Sequence, residues 1–75
     1  MNLTETKLNT NCVVKQYGNM EEKNKIRLME LGLIEGSVVS VYKKSILKKT
    51  LLIICNSGCF TIKDNLAKYV MVEYV

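Results

Sequence analysis

Two glycines, four residues apart, stand where the sequence changes from a helical to a strand-like pattern. The segment RLMELGLIEG, residues 27–36, ends a helical run and is followed at once by alternating SVVSV. If Leu31 is the C-cap, Gly32 lies at C′ in the left-handed region, which costs glycine almost nothing. Leu33 then folds back onto Leu28, as in a Schellman motif, and the second glycine supplies another bend. The segment therefore predicts a rigid corner between a helix and a strand.

A short amphipathic helix is predicted before this corner. Asn19 and Glu22 have the spacing of a capping box at its start. Five apolar residues recur at helical spacing and are expected to form one stripe. They are Ile26, Leu28, Met29, Leu31 and Leu33. About three turns of helix are unstable alone in water, so we expect the helix to cover a sheet.

Alternating apolar residues predict strands before and after this helix. In residues 12–17 the alternation places Cys12, Val14 and Gln16 on one face. Four later runs are also strand-like, and in three of them alternate side chains are expected to point inward. Their inward residues are Val39, Val41, Phe60, Ile62, Val70 and Val72.

Two connections in the second half of the chain have recognisable turn chemistry. Residues 56–58, NSG, predict a three-residue hairpin loop with Gly58 at a positive φ. Residues 64–69, DNLAKY, predict a single helical turn capped by Asp64, with Leu66 and Ala67 closing one end of the sheet.

The order of elements indicates a mainly β fold built as a small barrel. We expect about five antiparallel strands, with one short α-helix inserted after the first strand and a single helical turn before the last. The barrel is expected to be closed or nearly closed, because closure removes edges that would otherwise pair with other chains. A chain of 75 residues is one domain, residues 1–75. Residues 1–8 are polar and expected to be loosely ordered, with Leu3 and Leu8 as anchors.

The sequence resembles the FeoA domain, a small cytosolic protein of bacterial ferrous iron uptake. The resemblance covers roughly residues 8–74, and Lys63 stands where the family often has arginine. The matching positions are Arg27, Leu28, Leu31, Gly32, Gly36, Val39, Val41, Ala67, Val70 and Val72. The resemblance implies an SH3-like barrel and a role beside FeoB, the membrane Fe(II) transporter that carries a cytosolic GTP-binding domain. A similar domain is fused to some iron-dependent repressors.

Catalysis is not expected from this composition. The chain has no histidine, its glycines lack the Lys-Ser/Thr of a phosphate loop, and its few carboxylates fall mostly at helix starts and exposed positions. We therefore expect no enzyme activity and no cofactor. The start of the chain lacks a basic and apolar signal, and its three cysteines are an odd number, which together favour the cytoplasm.

The three cysteines raise one metal hypothesis. Cys55 and Cys59 flank the predicted hairpin loop and would face each other across it, so with Cys12 they could form a three-thiolate site. Free cysteine is more often a small buried apolar residue, and no fourth ligand is evident. We expect no metal site, and a cysteine-based metal sensor stays an alternative.

A basic segment with two aliphatic residues is the main candidate for contact with a partner. Residues 43–49, KKSILKK, place four lysines around Ile46 and Leu47. The partner-binding candidates are Lys43, Lys44, Ile46, Leu47, Lys48, Lys49 and, on the helix, Arg27. Solvated hairpin lysines are the alternative reading of this segment.

The net charge of +4 also permits an acidic partner of another kind. Nucleic acid is an alternative but is not expected, because Arg27 is the only arginine and no exposed aromatics are interleaved with the lysines. We expect membrane contact only peripherally through the partner, at the inner face of the cell membrane. Self-association through the exposed aliphatic residues is a further alternative.

Overall fold

The computed structural model describes all 75 residues. Five strands form one antiparallel sheet: β1 (Cys12–Tyr17), β2 (Val38–Ser45), β3 (Thr50–Cys55), β4 (Gly58–Lys63) and β5 (Val70–Tyr74). Helix α1 (Glu22–Glu30) follows β1, and the one-turn helix α2 (Asp64–Ala67) precedes β5. The strand order is β4-β3-β2-β1-β5. The predicted number, direction and order of elements are confirmed.

One cluster of apolar side chains forms the core inside the curved sheet. It comprises Leu3, Cys12, Val14, Leu28, Leu33, Val39, Val41, Leu51, Ile53, Ile62, Ala67, Val70 and Val72. Phe60 and Leu66 are half-buried against this cluster. The predicted inward positions on β2, β4 and β5 are therefore confirmed.

Two β-bulges change the face on which later residues of a strand lie. In β1 the register shifts between Val14 and Gln16, so Lys15 is the extra residue. Tyr17 consequently turns towards the core and Gln16 is exposed, which corrects the alternation predicted for this strand. In β2 the register shifts between Val41 and Lys43.

Helix α1 differs from its prediction at its start and in the face that it buries. Its N-cap is Glu21, which makes no side-chain cap hydrogen bond, so the capping box predicted for Asn19 does not form. Leu28 is fully buried, whereas Ile26 and Met29 are about half exposed. At 100° per residue, Ile26 lies about 160° and Met29 about 100° around the helix from Leu28, so both side chains point away from the core when Leu28 faces it.

The corner after α1 has the predicted geometry. Gly32 has a φ of +89°. Its N–H donates to the Met29 carbonyl at 2.9 Å, and the Leu33 N–H donates to the Leu28 carbonyl at 2.9 Å. These are the two hydrogen bonds of a Schellman motif, and both of its leucines are fully buried. Gly36 also has a positive φ, of +87°, and turns the chain into β2.

The beginning of the chain is anchored, although the sequence predicted a loose segment over residues 1–8. Residues Leu3–Glu5 form a 3₁₀ turn with Asn2 as its N-cap. Leu3 is fully buried and serves as the expected anchor, whereas Leu8 is about half exposed. The Val72 N–H donates to the Met1 carbonyl at 2.8 Å, so this segment covers the outer edge of β5.

The sheet is not closed by hydrogen bonds, because β4 and β5 are its two ends.

In the β3–β4 hairpin, Cys55 pairs with Gly58, which leaves a two-residue loop rather than the predicted three-residue loop. Gly58 has the expected positive φ, of +132°. Asp64 begins α2 but does not cap it; its N–H donates to the Lys49 carbonyl at 2.9 Å.

Candidate interaction surface

The turn between β2 and β3 carries the most exposed large apolar side chains of the protein. Ile46 is 89% exposed and Leu47 is 97% exposed. Lys43, Lys48 and Lys49 are exposed around them, and none of the three forms an ion pair. We call these five residues the tip surface. Its arrangement, two aliphatic side chains within a basic rim, suits contact with an apolar and acidic surface.

Lys44 is engaged within the chain and is not part of the tip surface. The bulge in β2 pairs Lys44 with the inward-facing Leu51, so its side chain lies towards one end of the barrel. Its Nζ donates to the Thr4 carbonyl at 2.6 Å and to the Thr6 carbonyl at 3.3 Å. These bonds tie the 3₁₀ turn to β2, and they give Lys44 a role in the fold.

Arg27 lies on α1, where it lines a groove between that helix and β4. The groove has a volume of about 810 Å³. Its lining includes Thr50, which directly follows Lys49, so the groove begins at the base of the tip surface. Arg27 forms no ion pair with Glu30 or Glu35, the acidic residues near it in the sequence. The groove was not predicted from the sequence, because it depends on how α1 lies against the end of the sheet.

The three cysteines do not converge. Cys55 pairs with Gly58, and Cys59 pairs with Ile54, so the two thiols do not face each other across the hairpin as predicted. Cys12 is buried, Cys55 is half-buried and Cys59 is exposed. No group of three histidine, cysteine or carboxylate side chains is placed to hold a metal ion. Burial raises the pKa of the Cys12 thiol, which disfavours its thiolate form.

None of the helices has the length and apolar character needed to cross a bilayer.

The fold defines the class of this protein as a small SH3-like β-barrel domain with one inserted helix. The chain belongs to the FeoA domain family, whose model matches residues 1–74. The predicted family and fold class are both confirmed, and the family links the chain to ferrous iron transport.

Solved structures of similar proteins agree with this assignment. The chain is 28% identical to the FeoA protein of Chlorobium tepidum, with a TM-score of 0.90, over 100% of this chain and 70% of that one. It is 29% identical to FeoA of Stenotrophomonas maltophilia, with a TM-score of 0.81, over 97% and 89% of the two chains. That protein, complexed with zinc, is described as a prokaryotic SH3 domain protein and a suggested activating factor of ferrous iron transport.

A similar fold occurs within a manganese-dependent transcriptional repressor. The identity is 11% and the TM-score 0.90, over 99% of this chain and 40% of the repressor, so this likeness concerns the fold alone. No curated protein matches the sequence.

Proposed function

We propose that this protein is a non-catalytic accessory protein of ferrous iron uptake, and that it acts by binding the cytosolic part of a FeoB-type membrane transporter. The observation that carries the proposal is the tip surface on a member of the FeoA family. Ile46 and Leu47 are almost wholly in solvent on an otherwise well-packed domain. Burying such side chains against a partner is favourable by about 25 cal/mol per Å² of apolar surface removed from water.

The basic rim favours a location close to the cytoplasmic face of the membrane. A lysine near an anionic leaflet contributes about 1 kcal/mol, so Lys43, Lys48 and Lys49 would add to the attraction when the partner holds the domain there. The protein then works in the cytoplasm and reaches the membrane through the transporter.

Uptake of radiolabelled Fe²⁺ by cells tests this function. Cells that lack the protein are expected to take up Fe²⁺ at an altered rate, and the wild-type chain restores the original rate. The double variant Ile46→Ser/Leu47→Ser should behave like the deletion, because it removes both apolar anchors without touching the core. The matched control is Ile26→Ser/Met29→Ser, which changes the half-exposed pair on α1 and should restore uptake.

Two uptake results would contradict the proposal, and one binding result would favour a different function. One is normal Fe²⁺ uptake in cells that carry the tip double variant at wild-type protein level. The other is an uptake defect when all three cysteines are replaced by alanine in a chain that still folds, because that outcome would favour the metal-sensor alternative. Salt-sensitive binding to DNA or RNA would favour a nucleic-acid function instead.

A further inference from the structure

We propose that the groove between α1 and β4 binds an extended acidic peptide segment, which pairs with β4 as a sixth strand. The inference rests on the free edge of β4 and on the charges around the groove. It does not depend on the tip surface or on the identity of the transporter.

The outer edge of β4 presents unpaired backbone groups. Because Cys55 and Gly58 flank a two-residue loop, they form a hydrogen-bonded pair, and such pairs alternate along an antiparallel ladder. The Asp64 N–H, six residues beyond Gly58, also points towards β3 and donates to the Lys49 carbonyl. Even-numbered residues of β4 thus direct their N–H groups towards β3. The odd-numbered residues between them direct their N–H groups to the outer edge: Cys59, Thr61 and Lys63.

The two edges of the sheet are treated differently by the rest of the chain. The segment at residues 1–2 covers β5, through the Asn2–Met71 bridge and the hydrogen bond from Val72 to Met1. No segment pairs with the outer edge of β4, the edge opposite β3. Natural proteins usually shield a free edge, because it is a template for pairing with another chain. An edge left open beside a groove suits the addition of a peptide strand.

The groove lies beside the last three residues of this open edge. Thr61, Ile62 and Lys63 of β4 line one side, and residues of α1 and the segment before it line the other. Met20, Leu66 and Tyr69 are half-buried and add apolar surface. The volume of about 810 Å³ falls within the range of about 300–1,000 Å³ found for ligand clefts. An extended segment could thus pair with the backbone of β4 while alternate side chains enter the groove.

The charges around the groove select an acidic segment. Three cations line it, Lys23, Arg27 and Lys63, against a single carboxylate, Glu21. Lys23 lies 3.6 Å from that carboxylate, and Arg27 and Lys63 form no ion pair within the chain. Two free cations beside an edge strand favour glutamate or aspartate in the added strand and disfavour lysine there.

A titration of the ¹⁵N-labelled protein with a blocked octapeptide of alternating glutamate and valine tests this inference. We expect chemical-shift changes at the amides of Cys59, Thr61 and Lys63, and slower hydrogen exchange of the Thr61 N–H. Arg27→Gln and Lys63→Gln should each weaken binding about two- to fivefold, the range for exposed ion pairs. Lys48→Gln removes the same charge from the tip surface and should leave the affinity unchanged.

Three further peptides and one variant separate backbone pairing from charge attraction alone. Two of the peptides carry N-methyl groups on alternate nitrogens, one peptide for each edge of the extended chain, and so lack the main-chain donors of that edge. The form that is methylated on the edge that pairs with β4 should not bind. Replacing each glutamate with lysine should also abolish binding. Thr61→Pro removes an outward N–H at an edge position where proline is tolerated, and it should lower the affinity.

Equal binding of the unmodified peptide and both N-methylated forms would overturn the proposal. So would equal binding of the lysine peptide, or shift changes confined to the tip surface. Concentration-dependent protection of the β4 amides without peptide would also overturn it, because the edge would then pair with a second copy of the chain. The N-methylated peptides keep the test decisive if Thr61→Pro does not fold.

Discussion

Gly32 and Ser57 meet where the corner after α1 approaches the β3–β4 hairpin. A Cβ added at Gly32 would collide with the Ser57 Oγ, whereas one added at Gly36 would meet nothing. Both glycines have a φ near +90°, which side chains rarely adopt. Both positions therefore favour glycine because of their positive φ, and Gly32 alone also lacks space for a Cβ.

We expect Gly32→Ala and Gly36→Ala each to lower the free energy of unfolding by about 1–2 kcal/mol, because alanine is strained in the left-handed region. Gly32→Ala should cost more than Gly36→Ala, and Ser57→Ala in the same chain should remove the difference. Urea unfolding of the single and double variants measures these losses in the free energy of unfolding. A neutral Gly32→Ala would contradict the assignment of the corner.

Tyr17 connects the end of β1 to the same corner. Its hydroxyl donates to the Leu33 carbonyl, and burial followed by the nearby Glu35 carboxylate raises its pKa above the ordinary value of 10.0. The folded protein therefore holds the phenolic proton at a pH where the unfolded chain has lost it. Stability from this group is complete below about pH 10 and falls as the pH rises further.

Tyr17→Phe should lower the free energy of unfolding by about 1 kcal/mol at neutral pH, because the Leu33 carbonyl loses its donor. The variant should also lose less stability than the wild type when the pH is raised from 9.5 to 11. Urea midpoints at four or five pH values provide the measurement. The buried Cys12 is present in both proteins, so the difference between their pH profiles of stability is due to Tyr17. Parallel pH profiles would show that the pKa of Tyr17 is not raised.

At the scale of the elements, the sequence pattern Asn-x-x-Glu occurs twice with different results. Asn2 caps the 3₁₀ turn: its side chain accepts from the Thr4 N–H at 2.9 Å, and its N–H donates to the Glu5 Oε1 at 2.8 Å. The second occurrence, at Asn19, does not cap α1, because Met20 packs against the core and the helix begins only at Glu22. Tertiary packing selects between two local signals that look alike.

The strand faces were predictable only as far as the alternation was unbroken. Val39 and Val41 were assigned correctly because their side chains precede the bulge in β2. Tyr17 and Lys44 lie beyond bulges, and a single extra residue moves every later side chain to the other face. No local turn signal marks either bulge, since Lys15 and Tyr42 are ordinary strand residues. Their positions follow from the register of neighbouring strands.

Lys44→Met tests the role that the bulge gives to Lys44. The variant removes the donor to the Thr4 and Thr6 carbonyls, so the 3₁₀ turn should open more often. We expect faster hydrogen exchange at the Glu5 and Val72 amides, and a loss of about 1 kcal/mol in the free energy of unfolding. Lys43→Met is the matched control, since its side chain makes no hydrogen bond. Equal exchange rates in the two variants would show that Lys44 does not hold this segment.

At the scale of the whole molecule, the corner, the helix and the five strands leave two separate surfaces for other molecules. The tip surface was predicted from sequence because lysines around two aliphatic residues between strands form a local pattern. The groove at β4 was not predicted from sequence, because it depends on which strands lie at the ends of the sheet and on how α1 crosses the end of the barrel. Such non-local features have no signature in a single sequence.

Binding of the transporter through the tip surface is tested most directly by an NMR titration of the ¹⁵N-labelled protein with the cytosolic domain of the FeoB-type transporter from the same organism. We expect chemical-shift changes at residues 43–49, and their loss in Ile46→Ser/Leu47→Ser but not in Ile26→Ser/Met29→Ser. An absence of shift changes at high concentrations of both proteins, or unchanged shifts with the tip double variant, would contradict binding through this surface.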